Sequence, residues 1–332
     1  MRWPGRRGET GNGDRNSKRN GRRLFAGALG VAALLAVAPA GAAENAAGLG
    51  ASSYPPMIGK AIRYRAKHED TLIELPRRFD VGYTEMRAAN PHVDPWLPGA
   101  GTEIVIPTAH IVPEADRKGL VLNLGDQRLY YFKPDGRTVV SFPVGIGMEG
   151  WSTPTGRTKV VRKQKRPTWY VPKSIRAERP YLPKVVPPGP DNPLGSHALY
   201  LGWQSYLLHG TNKPYGIGRR ASHGCVRLYP EDIERLFGEI PVGTPVTVVD
   251  QPVKIAWVGG ELMLEAHPTQ TQADQVESGD RMARESAPEV AYRLIYAARK
   301  KAGRLDWPLI RRTLKRRSGL PVSVLKPGDP AG

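Results

Sequence analysis

The sequence predicts a mainly β protein. A β-sandwich or barrel-like domain is expected over residues 118–250, with a small βααβ unit before it and a C-terminal hairpin with a helical tail after it. Residues 118–250 hold short runs rich in β-branched and aromatic residues, separated by Gly-Asp or Pro-Asp-Gly turns. Only residues 229–237, YPEDIERLF, have a clear helical pattern. The 332 residues allow two or three domains of ~100–200 residues each.

Residues 1–43 have the three-part pattern of a secretory signal peptide. A basic segment precedes an uncharged apolar run, and APAGA (38–42) offers overlapping A-x-A cleavage sites. The alternative is a transmembrane anchor, but the run is short, rich in Gly and Ala, and broken by Pro39. RRLF (22–25) resembles a twin-arginine signal, so the export route stays open. We expect an exported protein of the periplasm or cell envelope, with residues 44–59 as a linker.

The chain is strongly basic, with a formal net charge of +18 and a sequence pI near 10.1. This balance favours an anionic partner or surface. Loss of the eight basic and two acidic residues in 1–43 leaves +12, so the exported chain stays basic. Export makes nucleic acid a poor candidate partner. The anionic polymers and carboxylate-bearing peptides of a bacterial envelope fit better.

Residues 60–108 predict a βααβ unit. A short strand leads to a helix that starts at Asp-Thr (70–71), a second helix ends at Asn-Pro (90–91), and GTEIVIP forms the closing strand. With D-T-L opening one helix and AANP ending the other, this unit resembles a LysM carbohydrate-binding module. It departs from that pattern at Glu69, where such modules usually have Gly, and at Pro76. The resemblance implies glycan binding; the alternative is a packing domain without a ligand.

A Pro-rich loop interrupts the predicted strands at residues 164–195, which contain eight prolines. A connection this long is usually functional or disordered. Because Trp169 and Tyr170 would be costly to leave in solvent, we expect an ordered loop over a cleft.

Residues 251–332 predict a hairpin, a polar linker at 269–280, and two amphipathic helices. The first helix starts near Ala287 and the second at Asp306. Residues 296–317 contain nine basic residues and one acidic residue. Two interpretations are open: a solvated charged face, or attraction to an anionic wall or membrane surface. The residues expected on the inner faces are Val290, Leu294, Ile295, Ala298, Ile310 and Leu314.

Cys225 is the only cysteine in the chain and follows a Ser-His-Gly run. A cysteine thiol has a pKa of about 8.5, so a nucleophilic role needs a neighbouring base or positive charge. His209 ends the strand-like run SYLLHG, and His223 shares a face with Cys225 in an extended chain. Gly224 lets the backbone bend so that successive N–H groups bind an oxyanion. The nearby positive charges are Arg219, Arg220 and Arg227.

Three interpretations of Cys225 remain open from the residues alone. A lone cysteine is commonly a buried packing residue, but this does not account for the two histidines and the Gly-rich surroundings. A zinc site would combine it with His197, His209 and His223, whose spacing fits no common zinc pattern. The third interpretation, a nucleophile, is the one that the chemistry favours.

Residues 209–227, HGTNKPYGIGRRASHGCVR, resemble the signature of the L,D-transpeptidase (YkuD-type) family. That signature is a His-Gly, a spacer, and then Ser/Thr-His-Gly-Cys. The resemblance extends over residues 118–250 and implies a mostly β domain that acts on peptidoglycan stem peptides. It implies that Cys225 is the nucleophile and His209 the general base. The expected substrate-binding residues are Gly210, Ser222, His223, Gly224 and Arg227.

Arg227 departs from many family members, which have Asn two residues after the cysteine. Its role is therefore open. An arginine at this position is suited to a bidentate grip on a substrate carboxylate, and it also lowers the pKa of a nearby thiol.

The resemblance implies attack by Cys225 on the stem tetrapeptide at the diaminopimelate–D-Ala bond, release of D-Ala, and transfer of the acyl group to an amine. The acceptor is a second diaminopimelate or the lysine of an outer-membrane lipoprotein. Water as acceptor would make the protein an L,D-carboxypeptidase or hydrolase. No metal or organic cofactor is implied, and carbapenem-type inhibitors are expected to acylate Cys225. The alternative from a different class is a non-catalytic wall-binding protein.

Overall fold

The computed structural model describes residues 53–327, which form a mainly β structure with short helices, as predicted. The predicted signal peptide (1–43) and most of the predicted linker (44–59) lie outside the described residues, as do residues 328–332. In the described part of the chain, no helix is long and apolar enough to span a membrane.

The first unit has the predicted order of strand, helix, helix and strand. The helix expected from residues 70–71 begins only at Leu75, because Thr71 Oγ1 accepts the N–H of Glu74 and closes a turn first. The two strands of this unit pair antiparallel, as do the two short strands that flank it. The elements are β1 (Met57–Ile58), β2 (Ile62–Arg65), α1 (Leu75–Arg78), α2 (Tyr83–Ala89), β3 (Glu103–Ile106) and β4 (His110–Ile111).

The second unit is built from twelve strands and two helices. They are β5 (Gly119–Asn123), β6 (Arg128–Phe132), β7 (Val139–Pro143), β8 (Ile146–Gly147), β9 (Gly156–Lys165), β10 (Trp169–Tyr170), α3 (Lys173–Glu178), β11 (Val185–Val186), β12 (His197–Leu201), β13 (Leu207–His209), β14 (Arg220–Ser222), β15 (Val226–Arg227), α4 (Pro230–Glu239) and β16 (Pro245–Val249).

Eight of these strands form one sheet, in the order β15-β13-β12-β9-β16-β5-β6-β7. Neighbours pair antiparallel except β13 with β15 and β16 with β5, which are parallel. The apolar face of α4 packs on the sheet through Ile233 and Leu236, which are fully buried with the aliphatic residues of the central strands. The sheet thereby fixes the end of β13 next to β15, where the candidate active site lies.

The Pro-rich loop carries its own small hairpin, in which β10 pairs antiparallel with β11, and helix α3 between them. Asn192 holds the base of the loop. It is fully buried, and its Nδ2 group donates to the carbonyl oxygens of Pro167, Val186 and Pro187. These bonds satisfy carbonyl groups in a segment where prolines, lacking N–H groups, cannot form a regular ladder.

The third unit contains a hairpin whose second strand is joined by a short final strand. Residues 269–280, predicted as a polar linker, form a helix instead. Thr269 and Gln272 make a reciprocal capping box, and Gly279 ends the helix in a left-handed conformation. The elements are β17 (Val253–Val258), β18 (Glu261–Ala266), α5 (Gln270–Ser278), α6 (Pro288–Ala298), a 3₁₀ turn (Arg299–Arg304), α7 (Trp307–Arg316) and β19 (Val322–Ser323).

A buried charge network joins the three units. Arg128 Nη1 lies 3.1 Å from Glu85 Oε2, and Lys254 Nζ lies 2.6 Å from Asp126 Oδ2 and 2.9 Å from Glu265 Oε1. Burying charges is costly unless they are paired, so these partners depend on one another. We call this set the three-unit network. Its further members are His110, Tyr130 and His267.

Helix α2 also touches the loop that leads into the candidate site. The N–H of Thr84 donates to the carbonyl of Gly218 over 3.0 Å. Gly218 has a φ of 72°, and a Cβ there would lie 2.2 Å from Gly82 Cα, so only glycine fits this contact. The first unit is therefore in direct contact with the backbone around the cysteine motif.

Candidate active site

The parallel pairing of β13 with β15 assembles the site. Leu208 pairs with Val226, and His209 pairs with Arg227. Cys225 directly precedes β15. Side chains paired across a sheet share a face, and so do residues two apart along a strand. The pairing therefore places His209 and Arg227 side by side on one face of the sheet, and Cys225 lies two residues before Arg227. The charge of Arg227 reaches both the His209 imidazole and the Cys225 thiol.

The turn that presents Cys225 is held by side-chain hydrogen bonds. Ser222 Oγ donates to the Cys225 carbonyl over 2.5 Å and accepts the N–H of Gly224 over 3.2 Å. Thr153 Oγ1 donates to the Gly224 carbonyl over 2.9 Å. Gly224 has a φ of 94°, and a Cβ there would lie 2.9 Å from the Tyr206 ring. The turn consequently requires glycine and is rigid before a substrate binds.

His209 is buried, and its Nδ1 lies 2.6 Å from the carbonyl oxygen of Gly210. Because a carbonyl only accepts, Nδ1 carries the proton and Nε2 is the basic nitrogen. Burial, followed by the positive charge of Arg227, lowers the pKa of His209 to about 3. His209 is therefore neutral at neutral pH, as a general base must be.

The thiol of Cys225 is half-buried and donates to the carbonyl of Ser205 over 3.4 Å. Burial raises the pKa of Cys225, while the N–H of Leu207 and the charge of Arg227 act in the opposite direction. At neutral pH the two groups at rest are thus a protonated thiol and a neutral imidazole. Attack on a carbonyl requires the proton to move from sulfur to the imidazole.

Arg227 is half-buried, and no carboxylate between residues 53 and 327 pairs with it. Burial lowers the pKa of Arg227; the Cys225 thiolate opposes this shift, and the charge of Arg179 adds to it. Arg179 follows α3 in the Pro-rich loop, and it too has no carboxylate partner in the described chain. Arg227 and Arg179 thus lie within electrostatic reach of each other without acidic partners in the described chain, an arrangement suited to binding an anion.

Arg219 and Arg220, two of the positive charges near Cys225 in sequence, pair with carboxylates of the third unit. Arg219 Nη1 lies 2.7 Å from Glu277 Oε1, and Arg220 pairs with Asp274. Both carboxylates belong to α5, which the sequence pattern did not predict to be a helix. These two arginines hold α5 against β14 and are not available to a substrate.

His223 points toward the Pro-rich loop. Its Nε2 lies 2.9 Å from Glu178 Oε2 on α3, and its ring meets the edge of Trp151 with centroids 4.9 Å apart. Gly210 is a packing position, because a Cβ there would lie 3.0 Å from Ile233 Cγ2. The structure thus pairs His209 with Arg227 and places Cys225 within reach of the Arg227 charge. Ser222 and Gly224 shape the cysteine turn, His223 contacts the Pro-rich loop, and Gly210 is a packing position.

The residues of the zinc alternative do not converge. The His197 ring packs at an angle of 54° against Phe237, and His223 contacts Glu178 and Trp151. In the described chain, the one group of three metal-ligating side chains belongs to the three-unit network. It comprises Asp126, Glu265 and His267. The ammonium group of Lys254 already bridges the two carboxylates of that group.

A pocket of about 330 Å³ opens beside Gly210, between the base of the Pro-rich loop and the end of β13. Its lining includes Arg166, Asn192, Ser196, Thr211 and Asn212.

Sequence reasoning missed several residues that shape the site. Thr153, Trp151 and Glu178 lie far from the motif in sequence, and no local pattern marks them.

Comparison with known proteins identifies the family. The model of the YkuD family, described as an L,D-transpeptidase catalytic domain, matches residues 117–248. The probable L,D-transpeptidase ErfK/SrfK of Escherichia coli (strain K12) is 40% identical over 277 residues, which cover 81% of this chain and 87% of that protein. The probable L,D-transpeptidase YbiS of the same strain is 41% identical over 254 residues, covering 74% and 80%.

Among solved structures, the catalytic domain of the E. faecium L,D-transpeptidase is 23% identical; the match covers 41% of this chain and 99% of that one, with a TM-score of 0.33. The matches to the two E. coli relatives are longer than residues 117–248 of this chain and cover most of each relative's length. This chain therefore belongs to the L,D-transpeptidase family and is a cysteine-dependent acyltransferase with a YkuD-type catalytic domain.

Proposed function

We propose that the chain is a peptidoglycan L,D-transpeptidase that acts on the stem tetrapeptide. Cys225 attacks the diaminopimelate–D-Ala bond, D-Ala leaves, and the acyl group passes to an amine. The observation that supports this proposal is the pairing of β13 with β15, in which the neutral imidazole of His209 lies opposite Arg227, a guanidinium without a carboxylate partner in the described chain, two residues after the thiol of Cys225. These three groups supply a nucleophile, a base and a carboxylate anchor.

In the first step, His209 Nε2 takes the thiol proton as the sulfur of Cys225 bonds to the carbonyl carbon. The backbone N–H groups of His223 and Cys225 hold the oxyanion, since the N–H of Gly224 is already bound to Ser222. The C–N bond then breaks, and the imidazolium gives its proton to the departing amine of D-Ala. The low pKa of His209 makes its protonated form a strong acid for this transfer.

In the second step, the acceptor amine attacks the thioester carbonyl and His209 takes a proton from that amine. Collapse of the adduct breaks the C–S bond, and the proton returns to the sulfur. Arg227 holds a stem carboxylate, with Arg179 adding positive charge from the Pro-rich loop. The loop limits access of water to the thioester, which favours amine over hydrolysis.

We infer two acceptor classes, a second diaminopimelate and the lysine of an outer-membrane lipoprotein, with hydrolysis as the alternative. The test incubates residues 44–332 with purified tetrapeptide muropeptides, with and without a lipoprotein C-terminal peptide, and identifies products by mass spectrometry. We expect D-Ala release with a cross-linked dimer or a peptide adduct, and neither with Cys225→Ala. D-Ala release without any adduct would establish a hydrolase.

Exposure to a carbapenem distinguishes the enzyme from the rival interpretation, a wall-binding protein that catalyses no reaction. We expect a covalent adduct in the intact mass of the wild-type chain and none with Cys225→Ala. An unchanged wild-type mass, together with unchanged muropeptides, would favour the rival.

Residues 60–108 are proposed to bind the glycan after export of the chain to the periplasm. Trp96 is 66% exposed in the loop that follows α2, where Asp94 Oδ1 accepts the N–H groups of Trp96 and Leu97. Exposed aromatic rings of this kind stack on sugars. Trp96→Ser should weaken binding to sacculi and leave turnover of soluble muropeptides unchanged. Unchanged sacculus binding would reject this glycan site.

A further inference from the structure

Helix α6 exposes an apolar and aromatic side to solvent. Tyr292 is 71% exposed and Tyr296 67%, and their rings stack with centroids 6.4 Å apart. Ile295, predicted on the inner face, is 47% exposed. Tyr292 and Tyr296 lie on the side of α6 opposite the buried stripe of Val290, Leu294 and Ala298, and Ile295 lies between that side and the stripe. The helix is therefore apolar on both sides, and only one side is covered by the described chain.

The exposed surface continues onto the hairpin of the third unit. The indole N–H of Trp257 donates to the carbonyl of Ala297 over 3.0 Å, which holds the ring at the end of α6. The Lys301 ammonium lies 4.9 Å from the centre of that ring. We call this surface the aromatic-basic face. It consists of Trp257, Tyr292, Ile295, Tyr296, Arg299 and Lys301.

Basic residues dominate the segment that follows α6, and Glu289 is the one carboxylate on the outer side of that helix. The negative charge of Glu289 opposes the fall in the pKa of Arg317 that burial causes. The Asp306 side chain accepts the N–H of Leu309 at the start of α7. Between residues 299 and 316, eight basic side chains have no carboxylate partner within the described chain. They are Arg299, Lys300, Lys301, Arg304, Arg311, Arg312, Lys315 and Arg316.

We propose that the aromatic-basic face binds the surface of an anionic phospholipid bilayer. Tyrosine and tryptophan suit the headgroup region, where one end of the ring is apolar and the other is hydrated. Lysine and arginine reach anionic headgroups while their aliphatic stems cover apolar surface. An anionic polymer would use the cations but would leave Ile295 without a partner. The observed combination of exposed aliphatic, aromatic and basic groups fits an interfacial helix.

The test is cosedimentation of residues 44–332, which contain the whole described fold, with vesicles of neutral phosphatidylcholine and of phosphatidylcholine with phosphatidylglycerol. We expect binding to the anionic vesicles, at least about tenfold weaker binding to neutral ones, and loss of binding in high salt. Lys300→Glu with Lys301→Glu should weaken binding about tenfold or more. Lys118→Glu with Arg137→Glu, which changes the net charge equally elsewhere on the surface, should not.

The aromatic residues are tested separately. Tyr292→Ser with Tyr296→Ser should weaken binding about tenfold, whereas Tyr170→Ser, at another exposed tyrosine, should have no effect. Circular dichroism of each variant checks that the fold is retained. Equal binding to both vesicle types, equal loss with the control variants, or binding to purified peptidoglycan instead of vesicles would overturn the proposal. The assay is independent of the transpeptidase chemistry, which Cys225→Ala reports on its own.

Discussion

His223 Nε2 and Glu178 Oε2 lie 2.9 Å apart and connect the cysteine turn to helix α3 of the Pro-rich loop. The contact explains why the motif carries a second histidine that does not face the reacting groups. His223 is in position to hold the loop beside the cysteine turn, because its ring nitrogen meets the carboxylate of Glu178. Under the proposed function, we expect the loop to influence the choice between amine and water as acceptor.

Glu178→Ala should open this contact. We expect at least about a twofold rise in the ratio of hydrolysed to transferred product, because the thioester becomes more accessible to water. The ratio is measured by quantifying tripeptide and dimer in the same reaction. Glu178→Gln, which keeps a hydrogen bond to His223, should behave more like wild type. Lys173→Ala on the exposed side of α3 is the matched control, and an equal ratio in all four chains would contradict the role of the contact.

Arg227→Met should move the ionisation of Cys225 to higher pH, since the guanidinium lowers the pKa of the thiol. The pH profile of alkylation by iodoacetamide measures this directly. At neutral pH we expect alkylation to slow roughly threefold to tenfold, and the KM for muropeptides to rise. Arg227→Lys should restore the alkylation profile and only part of the KM, because lysine lacks the bidentate fork. An alkylation profile that does not move would assign Arg227 to the substrate alone.

His209 should make the fold sensitive to acid. Its pKa is about 3 in the folded chain and near 6.5 when unfolded, so below pH 6.5 the unfolded chain binds a proton that the folded chain does not. The free energy of unfolding should fall by up to about 1.4 kcal/mol per pH unit from this group as the pH drops from 6 toward 3. Urea unfolding of Cys225→Ala with and without His209→Asn isolates the effect. Parallel pH curves for the two chains would contradict the prediction.

Lys254→Met should destabilise the chain by about 3–5 kcal/mol, because it leaves the carboxylates of Asp126 and Glu265 buried without their cation. Urea denaturation gives the free energy of unfolding. Lys300→Met, at an exposed lysine, should change it by less than about 0.5 kcal/mol. A loss below about 1 kcal/mol for Lys254→Met would show that the two acids are neutral or solvated.

The sequence was sufficient for the fold class, and the three residues that it predicts for the centre of the site belong to neighbouring segments of the sheet. Cys225, His209 and Arg227 belong to one local pattern, and two short strands pair His209 with Arg227. It was insufficient where distant charges decide the structure. Helix α5 is polar in composition, and its ion pairs with Arg219 and Arg220 form only in the folded chain. The contact of Glu178 with His223 was not predicted for the same reason, because the two residues are far apart in sequence.

The outer side of α6 shows a different limit. Periodicity assigned Ile295 to the core because isoleucine is apolar, and the buried stripe lies one position away. Hydrophobic pattern predicts that a side chain will be covered. It does not predict whether the cover comes from the same chain or from another surface.

The three-unit network has a consequence for how such proteins are divided and inherited. The family pattern stops at residues 117–248, yet a gene fragment with those limits would carry Asp126 and Arg128 away from Lys254 and Glu85. We expect such a fragment to be less stable than the whole chain, because Asp126 and Arg128 would lose their ion-pair partners. Recombination that moves the segment into another protein would break these ion pairs unless matching charges come with it from both flanks.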